Sequence, residues 1–260
     1  MTLTPTSPAG GAAPTPAPAR TGVARVLVVM PARNEADSIR STLERIRGVL
    51  PDADLLVVND ASSDDTTAIA RRGGARVVEL PCNLGYGGAV QTGFKYAVAH
   101  DYDAVIQMDA DGQHDPASAT ALLEPVLAGE ADVVIGSRFL GRAEYPIPGL
   151  RRLGMNVFGA IVTFVTRRRF SDPTSGFQAL GRPVLRFFAR DHYPSDFPDA
   201  DTIILLVLAG FRVREVPVVM RARTAGTSMH SNLRAFYYVS KMLLSILMVL
   251  LRLKRLRANP

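Results

Sequence analysis

Val26-Leu27-Val28-Val29-Met30-Pro31-Ala32-Arg33-Asn34-Glu35 passes from an unbroken apolar run straight into a polar loop. A short run without polar alternation is what a strand buried on both faces requires. The pattern then repeats along the chain. Ile39, Leu43, Ile46 and Leu50 fall on one face of a helix. Leu55 to Val58 reads as a second strand, and Ala68 to Arg72 lies in a second helix. Ala75 to Leu80 is a third strand, Gly87 to His100 is helical, and Ala104 to Met108 is a fourth strand. Asp115 is placed to cap a further helix, with Pro116 at its first position. Val133 to Ile135 is a fifth strand. Such alternation predicts an α/β fold, with a mainly parallel central sheet flanked by helices on both faces.

Beyond Gly136 the rhythm changes. Leu150 to Val165 is expected to be helical, Phe177 to Leu180 a strand and Val184 to Ala189 a short helix. Ile203 to Leu208 is apolar and helix-like, and Arg212 to Val219 reads as a strand. Residues 1–24 carry Pro5, Pro8, Pro14, Pro16 and Pro18 and read as a disordered tail. That tail lacks an apolar h-region and is not expected to be a secretory signal. The expected division is a tail at 1–24, one α/β domain at 25–230, and an apolar helix with a basic tail at 231–260.

Composition narrows the class. Hydrophobic residues make up 47% of the chain, enough for a substantial core, so global disorder is excluded. The formal charge of +6 suits nucleotides, phosphates or an anionic membrane surface. The basic groups gather late, at Arg151 and Arg152, at Arg167 to Arg169, and at Arg252, Lys254, Arg255 and Arg257. They are not interleaved with aromatics or set in a nucleic-acid motif, so nucleic acid is not an expected partner. Cys82, the single cysteine, can build neither a disulfide framework nor a cysteine metal site. This favours a cytoplasmic address.

Open parallel sheets bind ligands beyond the carboxyl ends of their strands. The polar residues of this chain collect there. Pro31, Ala32, Arg33, Asn34 and Glu35 follow the first strand; Asn59, Asp60, Ala61, Ser62 and Ser63 follow the second. Gly85, Tyr86, Gly87 and Gly88 follow the third; Asp109 to His114 follow the fourth; Gly136, Ser137 and Arg138 follow the fifth. One polar end is an ordinary turn, but five in succession describe a rim. Asp109 and Asp111, two carboxylates at i and i+2, can share a hard cation, and Gln113 adds an amide oxygen. Mg²⁺ or Mn²⁺ takes such oxygen donors together with substrate phosphates. Asp60 suits hydrogen bonds to a ribose or base. Gly85 and Gly88 permit close backbone approach at a helix N-terminus. Their spacing is not that of a dinucleotide fingerprint, and no Gly-rich phosphate loop with a Lys follows the first strand.

Taken together, Pro31-Ala32-Arg33-Asn34-Glu35, Asn59-Asp60-Ala61-Ser62, Asp109-Ala110-Asp111-Gly112-Gln113-His114 and Gly136-Ser137-Arg138-Phe139 resemble family 2 glycosyltransferases of the GT-A fold. The resemblance is to the polyprenyl-phosphate hexose synthases, the group of dolichol-phosphate mannose synthase. It continues through Asp172-Pro173-Thr174-Ser175-Gly176-Phe177, Glu215-Val216-Pro217 and Arg223-Thr224-Ala225-Gly226-Thr227-Ser228, and so spans roughly residues 25–230. It implies a Rossmann-like half that holds the donor nucleotide, and a hexose donor of the GDP-mannose or UDP-glucose kind. Pro31, Ala32, Asn34, Glu35 and Asp60 would hold the nucleoside, and Asp109 with Ala110 would lie near the ribose and metal. Asp111 and Gln113 would bind Mg²⁺ or Mn²⁺. Arg138 would contact phosphate on the acceptor side, and Arg223 and Ser228 would close over the diphosphate. The chain departs from the pattern in two places. Met229 and His230 follow the late loop, and Asp199 and Asp201 stand where relatives often carry Glu.

Two acceptors stay open on the residues alone. A polyprenyl phosphate arrives ionised, since its second pKa is about 6, and needs no general base. A hydroxyl of a glycan or small molecule needs a base, and Asp199 or Asp201 is then the candidate. A protein that only binds nucleotide sugars has no need of Asp109, Asp111 and Gln113 together. Leu233 to Leu251 is interrupted by Lys241 and is short for a membrane span of about 20 apolar residues. Lys241, Ser245, Met248 and Arg252 form a weakly polar stripe on it; Tyr238, Met242, Leu243, Ile246, Leu247, Val249 and Leu250 cover the rest. With the basic residues that follow, the expected placement is in the interface of the cytosolic membrane face.

Overall fold

Val26–Ala32 forms β1, and every one of its residues is buried. The structure is a computed structural model that describes residues 23–140, 149–190, 193–194, 200–221, 244–249 and 251. Strands β2 (Asp54–Asn59), β3 (Arg76–Glu79), β4 (Ala104–Gln107) and β5 (Val133–Ser137) follow in sequence, then β6 (Gln178–Gly181) and β7 (Val213–Pro217). Between them lie α1 (Ile39–Val49), α2 (Thr66–Arg72), α3 (Gly85–Ala99), α4 (Ala119–Leu127), α5 (Gly149–Thr166), α6 (Arg182–Phe188) and α7 (Ala200–Leu208). Asp115 caps as expected, accepting from the Ala117 N–H, but Pro116–Ser118 is a 3₁₀ turn that precedes α4.

The seven strands form one sheet in the order β3-β2-β1-β4-β6-β5-β7. Its strand pairs are parallel except those made by β6, which runs antiparallel to both β4 and β5. The expected GT-A type α/β fold is the one observed. What the alternation did not reveal is that β6 inserts between β4 and β5. Because β6 runs backwards, its first residue, Gln178, pairs with Gln107 at the last position of β4. The loop that precedes β6 is thereby delivered to the same rim as the loop that follows β4.

Alternate residues of the central strands feed two apolar cores, as side chains of period two must. Leu27, Val29, Val105 and Leu180 pack on one face with Phe94 of α3, Phe158 of α5, Leu185 of α6 and Ile204 of α7. Val28, Met30, Ile106 and Ala179 pack on the other with Leu43 of α1, Ala70 of α2 and Leu122 of α4. The edge strand β3 carries Arg76 and Glu79 exposed, charges that discourage pairing with another edge. Gly93 lets α3 press against β1, because a Cβ there would stand 2.3 Å from Cγ1 of Val29.

The C-terminal segment corrects the expected stripe. Residues 244–249 are helical. Ser245 donates to the Asp201 carboxylate and Ile246 is buried in the first core, while Leu244, Leu247, Met248 and Leu251 are exposed. The face turned inward therefore contains Ser245, assigned to the polar stripe, and Ile246, assigned to the apolar face. Packing against α7 decides this, since a serine that finds a buried carboxylate gains more inside than in solvent. No helix among the described residues is long and apolar enough to cross a membrane. The tail up to residue 22 and most of 231–260 lie outside the described residues.

Candidate active site

The strand order reverses at β1, with β2 on one side and β4 on the other. That is the switch point at which open sheets leave a crevice. Two loops zip together on its β2 side. The Asn34 N–H donates to Oγ of Ser62 at 2.9 Å, and Oδ1 of Asn34 accepts from the Ser63 N–H at 2.8 Å. The Glu35 N–H donates to Oγ1 of Thr66 at 2.9 Å, and Oε2 of Glu35 accepts from Ser38 at 2.7 Å. Asn34 and Ala61 hold φ of 56° and 52°, left-handed values that cost an L-residue energy and gather at functional sites. Pro31 and Ala32 are the buried end of β1.

Asp60 has a partner that the sequence did not announce. It is 5% exposed, and its carboxylate accepts from the N–H groups of Leu84 at 2.7 Å and Gly85 at 3.0 Å. It thus places negative charge on the N-terminus of α3, where the helix dipole favours it. Gly85 opens that helix at φ 82°. At Gly88 a Cβ would lie 2.8 Å from Cβ of Leu84, so this glycine serves the tightness of the turn itself.

Asp64 stitches the same loops, accepting from the N–H groups of Ala36 at 3.1 Å and Thr66 at 3.0 Å. Burial pushes its carboxyl upward, but the Thr66 hydroxyl and these N–H donors outweigh it and hold the pKa below its ordinary value. A depressed folded-state pKa gives stability that is full above the unfolded-state value, about 3.9, and is lost as pH falls through the folded one. Asp64→Asn is therefore expected to lower stability at neutral pH and to flatten the acid limb of a stability-versus-pH curve below about pH 4. Denaturant unfolding between pH 7 and pH 3 checks this; an unchanged acid limb would count against it.

On the β4 side the carboxylate pair is built with care for orientation. The Asp109 side chain is 31% exposed, and its Oδ1 accepts from the Tyr86 hydroxyl at 2.9 Å. His114 is buried against Phe177, ring over ring at 4.8 Å. Its Nδ1 accepts from the Asp109 N–H at 3.0 Å, which puts the ring proton on Nε2, 3.6 Å from Oδ2 of Asp109. Asp111 is 8% exposed, and its Oδ1 accepts from the Gln113 N–H at 3.0 Å. Gly112 makes the turn between them at φ 76°. Ala110 is buried and its carbonyl accepts from Thr42. The Gln113 carbonyl accepts from the Arg221 N–H at 2.8 Å, which fixes Arg221 beside this loop.

The donor set is oxygen only, as a hard cation prefers. Among the described residues no group of three His, Cys, Asp or Glu is clustered for a metal. Two carboxylates and an amide, with the remaining positions left to phosphate and water, fit Mg²⁺ or Mn²⁺ better than they fit a closed structural site.

Arg138, expected to contact phosphate on the acceptor side, is held here by a buried carboxylate. It is 6% exposed, and its Nε and Nη2 each lie 2.6 Å from the fully buried Asp172 carboxylate. Nη2 also donates to Thr174 at 2.8 Å, and the Arg138 N–H to Asp172 at 3.0 Å. Glu215 on β7 accepts in turn from the N–H groups of Ser171 at 2.8 Å and Asp172 at 2.9 Å. Arg138 therefore anchors the loop into β6. Asp201 is fully buried in α7, bonded to the Thr202 N–H at 2.8 Å and to Ser245. Asp199, Arg223, Ser228, Met229 and His230 lie outside the described residues.

Sequence reasoning gave no role to Tyr86, Gln107, Asp172, Gly176 or Glu215. One signal was available: Gln107 is a polar residue inside the apolar run of β4.

Fold and rim together define an α/β enzyme of the GT-A type, with its site at the switch point. The chain belongs to glycosyl transferase family 2, whose family model matches residues 27–191. It is 33% identical to an undecaprenyl-phosphate mannosyltransferase of Micrococcus luteus, over 80% of this chain and 88% of that protein. It is 31% identical to a polyprenol monophosphomannose synthase of Mycolicibacterium smegmatis, over 80% of this chain and 82% of that one. Among solved structures, mannosyl-3-phosphoglycerate synthase from Rubrobacter xylanophilus superimposes with a TM-score of 0.66 at 19% identity, covering 91% of this chain and 76% of that one. Glucosyl-3-phosphoglycerate synthase from Mycobacterium tuberculosis, in complex with Mn²⁺, UDP-glucose and phosphoglyceric acid, superimposes with a TM-score of 0.64 at 24% identity. It covers 87% of this chain and 80% of that one, and both likenesses establish the fold. The chain is a glycosyltransferase.

Proposed function

We propose that the protein transfers a hexose from GDP-mannose or UDP-glucose to a polyprenyl phosphate, with inversion at the anomeric carbon. The observation that carries the reading is the Asp109–Asp111–Gln113 oxygen set at the switch point, in a chain whose relatives are named for polyprenyl-phosphate acceptors. Asp109, Asp111 and Gln113 would hold Mg²⁺ or Mn²⁺. Bound there, the ion supplies Lewis-acid stabilisation of charge growing on the leaving diphosphate. The zipped loops after β1 and β2 would hold the nucleoside, with Asp60 fixing the third loop beside them. One oxygen of the acceptor phosphate attacks the anomeric carbon as the bond to the nucleoside diphosphate breaks. That phosphate is already ionised, so no protein base takes a proton. Asp201, buried against Ser245, is not placed to act as the general base a hydroxyl acceptor would need.

The exposed row Leu244, Leu247, Met248 and Leu251, followed by Arg252, Lys254, Arg255 and Arg257, supports peripheral attachment at the cytosolic membrane face. The test incubates the purified full-length chain with Mg²⁺ or Mn²⁺, a panel of nucleotide sugars, and a short polyprenyl phosphate in anionic vesicles. Expected is metal-dependent formation of a charged glycolipid from one donor, with the protein floating with the vesicles. Donor binding without transfer to lipid would move the acceptor to a hydroxyl compound.

A further inference from the structure

Tyr86 stands in the first turn of α3 and reaches across to the carboxylate rim. Its hydroxyl donates to Oδ1 of Asp109 at 2.9 Å and accepts from Nε2 of Gln107 at 3.1 Å. A phenol has one proton to give. With the Gln107 amide pointing its N–H at the oxygen, that proton is directed at Asp109. Were the amide turned over, the phenol would donate to Gln107 and Asp109 would lose its donor. Oε1 of Gln107 is buried without a hydrogen bond among the described residues, and turning the amide over would give it the phenol only by putting Nε2 in the unpaired place. The turn gains nothing at Gln107 and costs Asp109 its donor, so the observed orientation is the favoured one.

A third element closes over the phenol. A Cβ on Gly176 would lie 2.7 Å from Oη of Tyr86 and 3.8 Å from Oδ1 of Asp109. The Asp172–Phe177 loop thus lies against the hydroxyl with no side chain between, and it is fixed in place through Arg138 and Glu215. The phenol is wedged between β4 and this loop.

We propose that Tyr86 is a positioning residue for Asp109: it occupies Oδ1 and, with Nε2 of His114 3.6 Å from Oδ2, fixes the rotation in which the carboxylate is offered to the divalent cation. The inference rests on the reading of Asp109 and Asp111 as ligands. Gln107 sets the direction of the phenol proton, and Gly176 is glycine because the hydroxyl leaves no room for a methyl group.

The test titrates Mn²⁺ into the full-length chain with GDP or UDP present and follows free Mn²⁺ by electron paramagnetic resonance. Tyr86→Phe is expected to weaken Mn²⁺ binding roughly tenfold, as loss of a partner behind a metal ligand does, with little change in Tm. Gln107→Met separates positioning from packing. It removes the unpaired oxygen and offers the phenol no competing acceptor, so Tm is expected to hold or rise and Mn²⁺ binding to stay within twofold of the parent. A purely structural role would move Tm and affinity together. Parent-like Mn²⁺ affinity, within twofold, in Tyr86→Phe overturns the proposal while the metal reading stands. If the parent chain itself binds no Mn²⁺, and Asp111→Ala changes nothing, the metal reading fails and takes this proposal with it.

Discussion

Asp111→Ala is expected to cost roughly 10²- to 10³-fold or more in transfer at saturating donor, the scale of removing a group that stabilises charge in the transition state. The loss should fall on turnover and on the Mn²⁺ dependence, and little on folding. Asp111 makes a local bond to the Gln113 N–H at 3.0 Å, and Gln113 is separately held by Arg221. The Arg221 bond remains to hold the loop when the carboxylate is gone. Initial rates across a Mn²⁺ series, with thermal unfolding of the same sample, check this. Near-parent turnover in Asp111→Ala would remove the metal assignment, whatever the binding data say.

Asp172→Ala is expected to be the most destabilising single change at the rim. Its carboxylate is fully buried and takes both arms of the Arg138 guanidinium. Removing one partner of a buried pair leaves the other charge uncompensated and costs about 3–5 kcal/mol. For a domain of this size that lowers Tm on the order of 10 °C. The double change Arg138→Met with Asp172→Leu should recover much of the loss, since an apolar pair of similar volume avoids the desolvation of both ions. Recovery should be incomplete, because the Arg138 N–H also donates to Asp172 and would lose its acceptor. A double-mutant cycle in urea measures the coupling. A single mutant as stable as the parent would show that the pair contributes nothing. Activity should suffer even where stability is recovered, if the loop carrying Gly176 against Tyr86 depends on this anchor.

Much of the fold and part of the rim are legible in the amino-acid sequence. Apolar runs such as Val26–Met30 and Ala104–Ile106 can only be strands covered on both faces, so the alternation of strands and helices dictates a mainly parallel sheet. Polar residues gathered after five successive runs place a rim at the carboxyl ends. The Asp109–Ala110–Asp111 spacing, with Gln113 beyond it, points to oxygen ligands of a hard cation, because that chemistry is local and needs no knowledge of neighbours.

Tertiary structure decided what depends on distant partners. The direction of β6 is one such case. A four-residue apolar strand reads the same both ways, and only its pairing with Gln107 at the end of β4 brought the Asp172–Phe177 loop to the rim. That Arg138 pairs with Asp172, far along the chain, is visible only in the folded chain. That the N-terminus of α3 docks on Asp60 is likewise visible only in the folded chain. Tyr86 reads as one residue in a glycine-rich turn until Gln107 and Asp109 meet its hydroxyl. Sequence determines which residues are apolar enough to be buried and which local spacings can hold an ion. Which polar group answers which, inside a core where each must find a partner, is settled only when the chain has closed.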